Sequence, residues 1–248
     1  MSIFDDLNYD SFRELAKNNS LSKYEKIGFP DNYRSDFEKK IFTDICIKLP
    51  ALMRSDSVVL DIGCGCSDLP NLLADQSLRL NQKLVLIDSE EMLSLLEIAS
   101  SPKLIKYAAK YPQCGELIED LRGCVNAILV YSVIQYVFSE GNIFNFLDKS
   151  LELLTPGGRM LIGDIPNISM RKRFFASDSG ILHHQDFTSS NEIPNVSFNL
   201  IESNQIDDSI IIAILSRARA AGFHAYVLPQ DVGLPMANRR EDILIIRP

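Results

Sequence analysis

The stretch VVLDIGCGCSDLP, from Val58 to Pro70, constrains the fold more than any other part of the chain. Four of its first five residues are apolar, which suits a strand covered on both faces. Gly63 and Gly65 then let the backbone turn tightly and come close to a neighbour. The following LPNLLADQ reads as a helix, with Ser67 or Asp68 as its N-cap. A strand, a glycine turn and a helix N-terminus together make a place for a ligand. The plainer alternative is a turn that only joins strand to helix.

From Val58 onward, strands and helices alternate. Strands are expected at 58–62, 84–88, 104–109, 126–131 and 159–165, with helices at about 67–79, 89–99, 115–122 and 140–154. This order implies a parallel sheet with right-handed crossovers. IIIAILSRARAAGF reads as a helix stopped at Gly222. FHAYVL and DILII follow, joined by a connection too short for a helical crossover, so they should pair antiparallel. The expected fold is therefore α/β and Rossmann-like: a mostly parallel seven-stranded sheet with an antiparallel last strand and helices on both faces.

Residues 1–57 read as a helical segment ahead of that domain. Phe37, Ile41, Ile45 and Leu49 recur every four positions, and Pro50 ends the pattern. Before them, SKYEKIGFPDNYR gathers Tyr24, Phe29 and Tyr33 around Gly28 and Pro30, which reads as a loop. An aromatic loop of this kind is expected to close as a lid over the cleft. Residues 58–248 form the main domain, with a polar insertion at about 166–208 on the substrate side.

Several function classes are disfavoured. The 248 residues, 46% of them hydrophobic, suit one elaborated α/β domain. The net charge of −8 argues against a chain that grips nucleic acid. The apolar runs are too short to span a bilayer, and MSIFDDLNYD lacks the basic start and apolar core of a signal peptide. Five cysteines, an odd number without a disulfide spacing, point to a reduced cytoplasmic setting. Cys64 and Cys66 read as small residues lining the turn, because no second thiol or His pair lies at zinc spacing.

In an open α/β sheet the ligand sits beyond the carboxyl ends of the strands, where strand order reverses. Those ends carry Asp61 and Gly63-Cys64-Gly65, then Asp88-Ser89, Tyr131-Ser132 and Asp164. Asp88 lies 25 residues beyond Gly63, placed to accept both ribose hydroxyls of a nucleoside. A nicotinamide dinucleotide wants a third glycine where this chain has Asp68, and an aspartate at that helix start would repel a pyrophosphate. A zwitterionic amino-acid tail beside a sulfonium would instead welcome carboxylates such as Asp61. The signs favour S-adenosylmethionine (SAM) over NAD.

VLDIGCGCSDL resembles the first motif of class I SAM-dependent methyltransferases. LVLIDSEEML is similar to their second-strand motif, and LLTPGGRMLIGD to the segment opening their fifth strand. The likeness covers about residues 58–165 and 209–247. It implies that Gly63 and Gly65 approach the methionyl part, Asp88 holds the ribose, and Met92 lies against the adenine. Ser67 stands where a third glycine is common. The acid often found after the third strand is absent from AAKYPQC, which leaves adenine recognition to backbone groups and Tyr111. The opening NYDSFRELAKNNSLSKYEKIGFPDNYR, with SVIQYV, resembles methyltransferases of bacterial capsule and O-antigen gene clusters.

The acceptor is less constrained. Tyr131 and Tyr136 follow a buried strand and serve either packing or ligand contact. His183-His184 is either a surface pair or a base near neutral pKa, and Asp164 competes for the base role. Arg171-Lys172-Arg173 and Arg239-Arg240 are either solvated charge or an anion grip, with Arg171 and Arg240 the candidate contacts. A hydroxyl acceptor needs a base, whereas an anionic oxygen needs only cationic neighbours. The expected function is O-methylation of a small carbohydrate-linked or phosphorylated acceptor, such as a nucleotide sugar, with surface polysaccharide synthesis as the implied setting and SAH as product. Two rivals remain: a methyltransferase acting on RNA or protein, and a SAM-binding module without catalysis.

Overall fold

A computed structural model describes residues 7–200 and 202–248. The first six residues, on which part of the leader and lid expectations rests, and Ile201 of the insertion lie outside the described residues.

Apolar runs become strands buried on both faces in β1 (Val58–Ile62), β2 (Lys83–Asp88), β4 (Val125–Tyr131) and the second half of β5 (Leu154–Pro166), while β3 (Leu104–Ala108) forms a half-exposed edge. They are joined at one edge by β6 (His224–Pro229) and β7 (Arg240–Ile246). The sheet order is β3-β2-β1-β4-β5-β7-β6. β1 pairs in parallel with β2 on one side and β4 on the other, so strand order reverses at β1. β7 runs antiparallel to both β5 and β6.

Alternate residues of each strand feed two separate cores. Leu60, Ile62, Val85 and Ile87 pack with α6 (Gly115–Leu121), α8 (Ile143–Leu153) and α11 (Asp208–Ala220). Val59, Leu84, Leu86 and Leu129 pack with α3 (Glu38–Lys48), α4 (Asp68–Arg79) and α5 (Glu90–Ser94). No helix among the described residues is long and apolar enough to cross a membrane.

Four expectations change in detail. The helix expected at 140–154 is α8, started by Asn142, whose side chain caps Phe144 and Asn145, and a further helix, α7 (Ile134–Glu140), precedes it. The helix expected at 89–99 stops at Ser94. β5 starts five residues earlier than 159, at Leu154, because Leu154 already pairs with Val125. The stretch read as loop contains α2 (Lys23–Lys26), a single helical turn closed by a Ser22–Glu25 capping box, and a 3-10 turn at Asp31–Tyr33. α1 (Tyr9–Lys17) precedes it. The insertion is half helical, with α9 (Ile168–Phe175) capped by Asn167 and α10 (Asp178–Thr188) capped by Ser177.

Candidate active site

The strand ends meet at a cavity of about 340 Å3. Its floor is the glycine turn. Gly63 (φ 72°) and Gly65 (φ 64°) occupy the left-handed region that disfavours side chains. The turn is tied to β2, since the Gly63 N–H donates to the Ile87 carbonyl at 2.8 Å and the Gly65 N–H to Asp88 Oδ2 at 2.8 Å. The Ser89 N–H donates to the other Asp88 oxygen at 2.7 Å. Two backbone donors therefore fix the carboxylate in the cavity wall while it keeps lone pairs for a ligand.

Asp61 lies just behind the turn. It is 2% exposed, and its Oδ2 is buried without a hydrogen-bond partner. Burial, with the Asp88 charge adding to it, pushes its carboxyl up to about 8. An unpartnered buried acid beside a second carboxylate is a site that a cation would relieve. Asp68, the acid expected to repel a pyrophosphate, is paired instead with Lys23 Nζ at 2.5 Å and the Tyr24 hydroxyl at 2.9 Å.

Of the residues expected at a cofactor, Gly63, Cys64, Gly65, Asp88, Met92, Tyr111, Tyr131 and Ser132 line the cavity, as does Tyr136. Asp61 and Ser89 are not part of its lining. Ser89 is the buried N-cap of α5, accepting the Met92 N–H. Tyr111 is a cavity wall with its polar end turned into the core. Its ring packs edge-on against Phe146 at 5.1 Å, and its hydroxyl accepts from Ser150 at 3.2 Å. Tyr131 covers Gly163, where an added Cβ would lie 2.5 Å from the ring. Packing therefore accounts for much of its placement.

The three candidate bases do not line the cavity. Asp164 lies near the end of the buried part of β5 with φ 59°, and its carboxylate is engaged by several donors. It accepts from the Ser132 hydroxyl at 2.5 Å, Arg240 Nη1 at 2.7 Å and Gln230 Nε2 at 3.3 Å, with Arg34 Nη2 3.6 Å away. These donors occupy the oxygens that would otherwise face an acceptor. His183 and His184 sit on α10, edge-on to Phe174 and Phe175. Arg171 lies over Phe175, and Arg240 is the ion-pair partner of Asp164. Arg171 and Arg240 also stand outside the cavity lining.

The N-terminal segment supplies contacts that the sequence did not single out. Tyr9, Phe12, Ile27 and Arg34 line the cavity along with Phe29. Phe12 meets Tyr136 edge-on at 4.8 Å, and Ile27 lies so near the turn that a Cβ on Gly65 would fall 2.7 Å from it. Arg34 donates to the Ser132 hydroxyl at 2.6 Å while stacking 4.3 Å from the Phe29 ring centre. Its signal was weak: one arginine at the end of an aromatic stretch.

No protein-family model matches the chain, and no curated protein sequence matches it. Solved structures do. The plantazolicin methyltransferase BpumL in complex with SAH is 15% identical, with TM-score 0.56, covering 95% of each chain. The N-methyltransferase NodS from Bradyrhizobium japonicum WM9, in complex with SAH, is 15% identical with TM-score 0.56 over 97% of this chain and 98% of that one. A putative methyltransferase in complex with the Haloferax volcanii Trm112 activator is 13% identical, with TM-score 0.50 over 88% and 97%. This likeness is one of architecture: the chain has the Rossmann-like fold of class I SAM-dependent methyltransferases.

Proposed function

We propose that the protein is a SAM-dependent methyltransferase that methylates an oxygen of a small carbohydrate-linked or phosphorylated acceptor. The observation that carries the SAM assignment is the cavity wall formed by the Gly63–Gly65 turn and Asp88, at the strand where sheet order reverses. Two further features fit that cofactor. Asp61, buried behind the turn and outside the cavity lining, adds a carboxyl with one unpartnered oxygen on the side where the cationic amino-acid end would lie, and the crowded glycines leave the backbone open to close approach. Neighbours of this fold have been crystallised with SAH.

In this reading Asp88 accepts the ribose hydroxyls, Met92 packs on the adenine, and the Gly63–Gly65 backbone borders the methionyl chain. The bound cofactor supplies an electrophilic methyl on a sulfonium. The chain aligns the acceptor and keeps water out. Phe12, Ile27 and Phe29 support the second task, and residues 1–57 act as the lid over a domain at 58–248. Ser132, held between Arg34 and Asp164, and Tyr136 mark the acceptor end. With Asp164 engaged and the histidines outside the cavity lining, the arrangement favours an acceptor oxygen that is already anionic. The capsule-type setting rests on the sequence resemblance alone.

Transfer of a tritiated methyl from SAM to a panel of nucleotide sugars and sugar phosphates tests this. Labelling of at least one acceptor is expected. SAM binding without transfer to any acceptor class, protein and RNA included, would favour a non-catalytic module.

A further inference from the structure

Phe175 collects basic side chains from three segments. Arg171 of α9 places its guanidinium carbon 5.2 Å from the ring centre, and Arg239, from the loop before β7, places its own 5.9 Å away. His183 and His184 of α10 meet the ring at centroid distances of 6.3 and 6.1 Å.

The neighbouring cations are neutralised. Lys172 pairs with Glu202, Arg173 with Asp208 and Arg240 with Asp164. Among the described residues Arg171 and Arg239 form no ion pair with a carboxylate; Arg239 donates to the Asn238 side chain at 3.1 Å and also meets the Tyr33 hydroxyl. Burial pushes the Arg239 guanidinium down from its ordinary value; Tyr33 opposes this, and the Arg240 and Arg171 charges add to it. Two guanidiniums on one ring with no carboxylate between them repel each other, and an anion placed between them would be attracted by both. Stacking on the ring leaves their edge N–H groups free to hold oxygens.

We infer that Arg171, Arg239 and Phe175, flanked by His183 and His184, form an oxyanion subsite for a phosphate group of the methyl acceptor. The acceptor assignment rests on the methyltransferase reading above. The subsite is linked to the cavity through Arg240, next to Arg239 in the chain, which binds Asp164, and through Asp164, which binds the cavity-lining Ser132. It replaces Arg240 with Arg239 as the partner of Arg171, since Arg240 is already committed.

Titration of pyrophosphate into SAH-saturated protein, followed by calorimetry, tests the inference. Arg171→Ala and Arg239→Ala should each weaken pyrophosphate about tenfold, as expected for loss of a charge-assisted contact. Arg239→Lys should retain part of the affinity, and Arg173→Ala, which removes the same charge from a paired residue, should change little. SAH affinity should hold throughout. Should Arg239→Ala also lose SAH, the exposed Arg171→Ala decides. No saturable pyrophosphate binding by wild type, or equal weakening in Arg173→Ala and Arg171→Ala, overturns the subsite. Pyrophosphate binding without SAH binding keeps the subsite and sinks the methyltransferase reading. SAH binding without pyrophosphate binding does the reverse.

Discussion

Replacing Lys48 by alanine is expected to destabilise the protein by about 3–5 kcal/mol, the usual result of stranding a buried charge. Lys48 projects from α3 to Asp44 Oδ2 at 2.5 Å and to Asp242 Oδ2 at 2.7 Å. Asp242 lies on β7, between β5 and β6, with 0% exposure, so water cannot replace the lost ammonium. Burial already pushes the Asp242 carboxyl up against the pull of Lys48. Asp242 Oδ1 also accepts the Asp164 N–H at 2.8 Å and Gln230 Nε2 at 3.2 Å. The ion pair therefore fixes the strand end that carries the Asp164 network. Urea unfolding should show the midpoint falling in Lys48→Ala and partly recovering in Lys48→Ala with Asp242→Asn. An unchanged midpoint would show that the pair carries no such weight.

The second large effect belongs to Gly63. An alanine there keeps a positive φ of 72°, which costs about 1–3 kcal/mol outside glycine. Its Cβ would also fall 2.6 Å from Val133 Cγ2. Val133 is β-branched and stiff, and it follows Ser132, itself at φ 60° and tied to Asp164. Relief must come from the turn, which would pull the Gly65 N–H from Asp88. Gly63→Ala should therefore lose SAH affinity by about a hundredfold, or roughly 2.7 kcal/mol, beyond any loss of stability. Equal SAH affinity in Gly63→Ala, measured on folded protein, would remove the turn from the binding site.

The parts of this architecture readable from sequence are those where local pattern and tertiary environment agree. β1, β2 and β4 are apolar runs because both faces are covered, and the glycines after β1 mark a turn whose φ values are positive. Gly222, with φ 91°, likewise ends α11. The cavity's other wall was opaque, because its contacts join distant segments. Arg34 reaches Ser132 across 98 positions, and no periodicity encodes that meeting. The same holds for Asp164, whose place at a strand end was legible but whose two arginine partners were not. His183, His184 and Arg171 read either as surface residues or as groups facing the cleft. α9 and α10 instead turn them toward Phe175, beside Arg239. Only the fold could bring those four together.

Calorimetric titration with SAH tests the central claim most directly. Wild type should give a single saturable isotherm, and Asp88→Ala should bind about tenfold to a hundredfold more weakly, the cost of losing a charged acceptor in a desolvated site. NAD should give no isotherm. Failure of the folded wild type to bind SAH, or equal affinity in Asp88→Ala, would contradict the account.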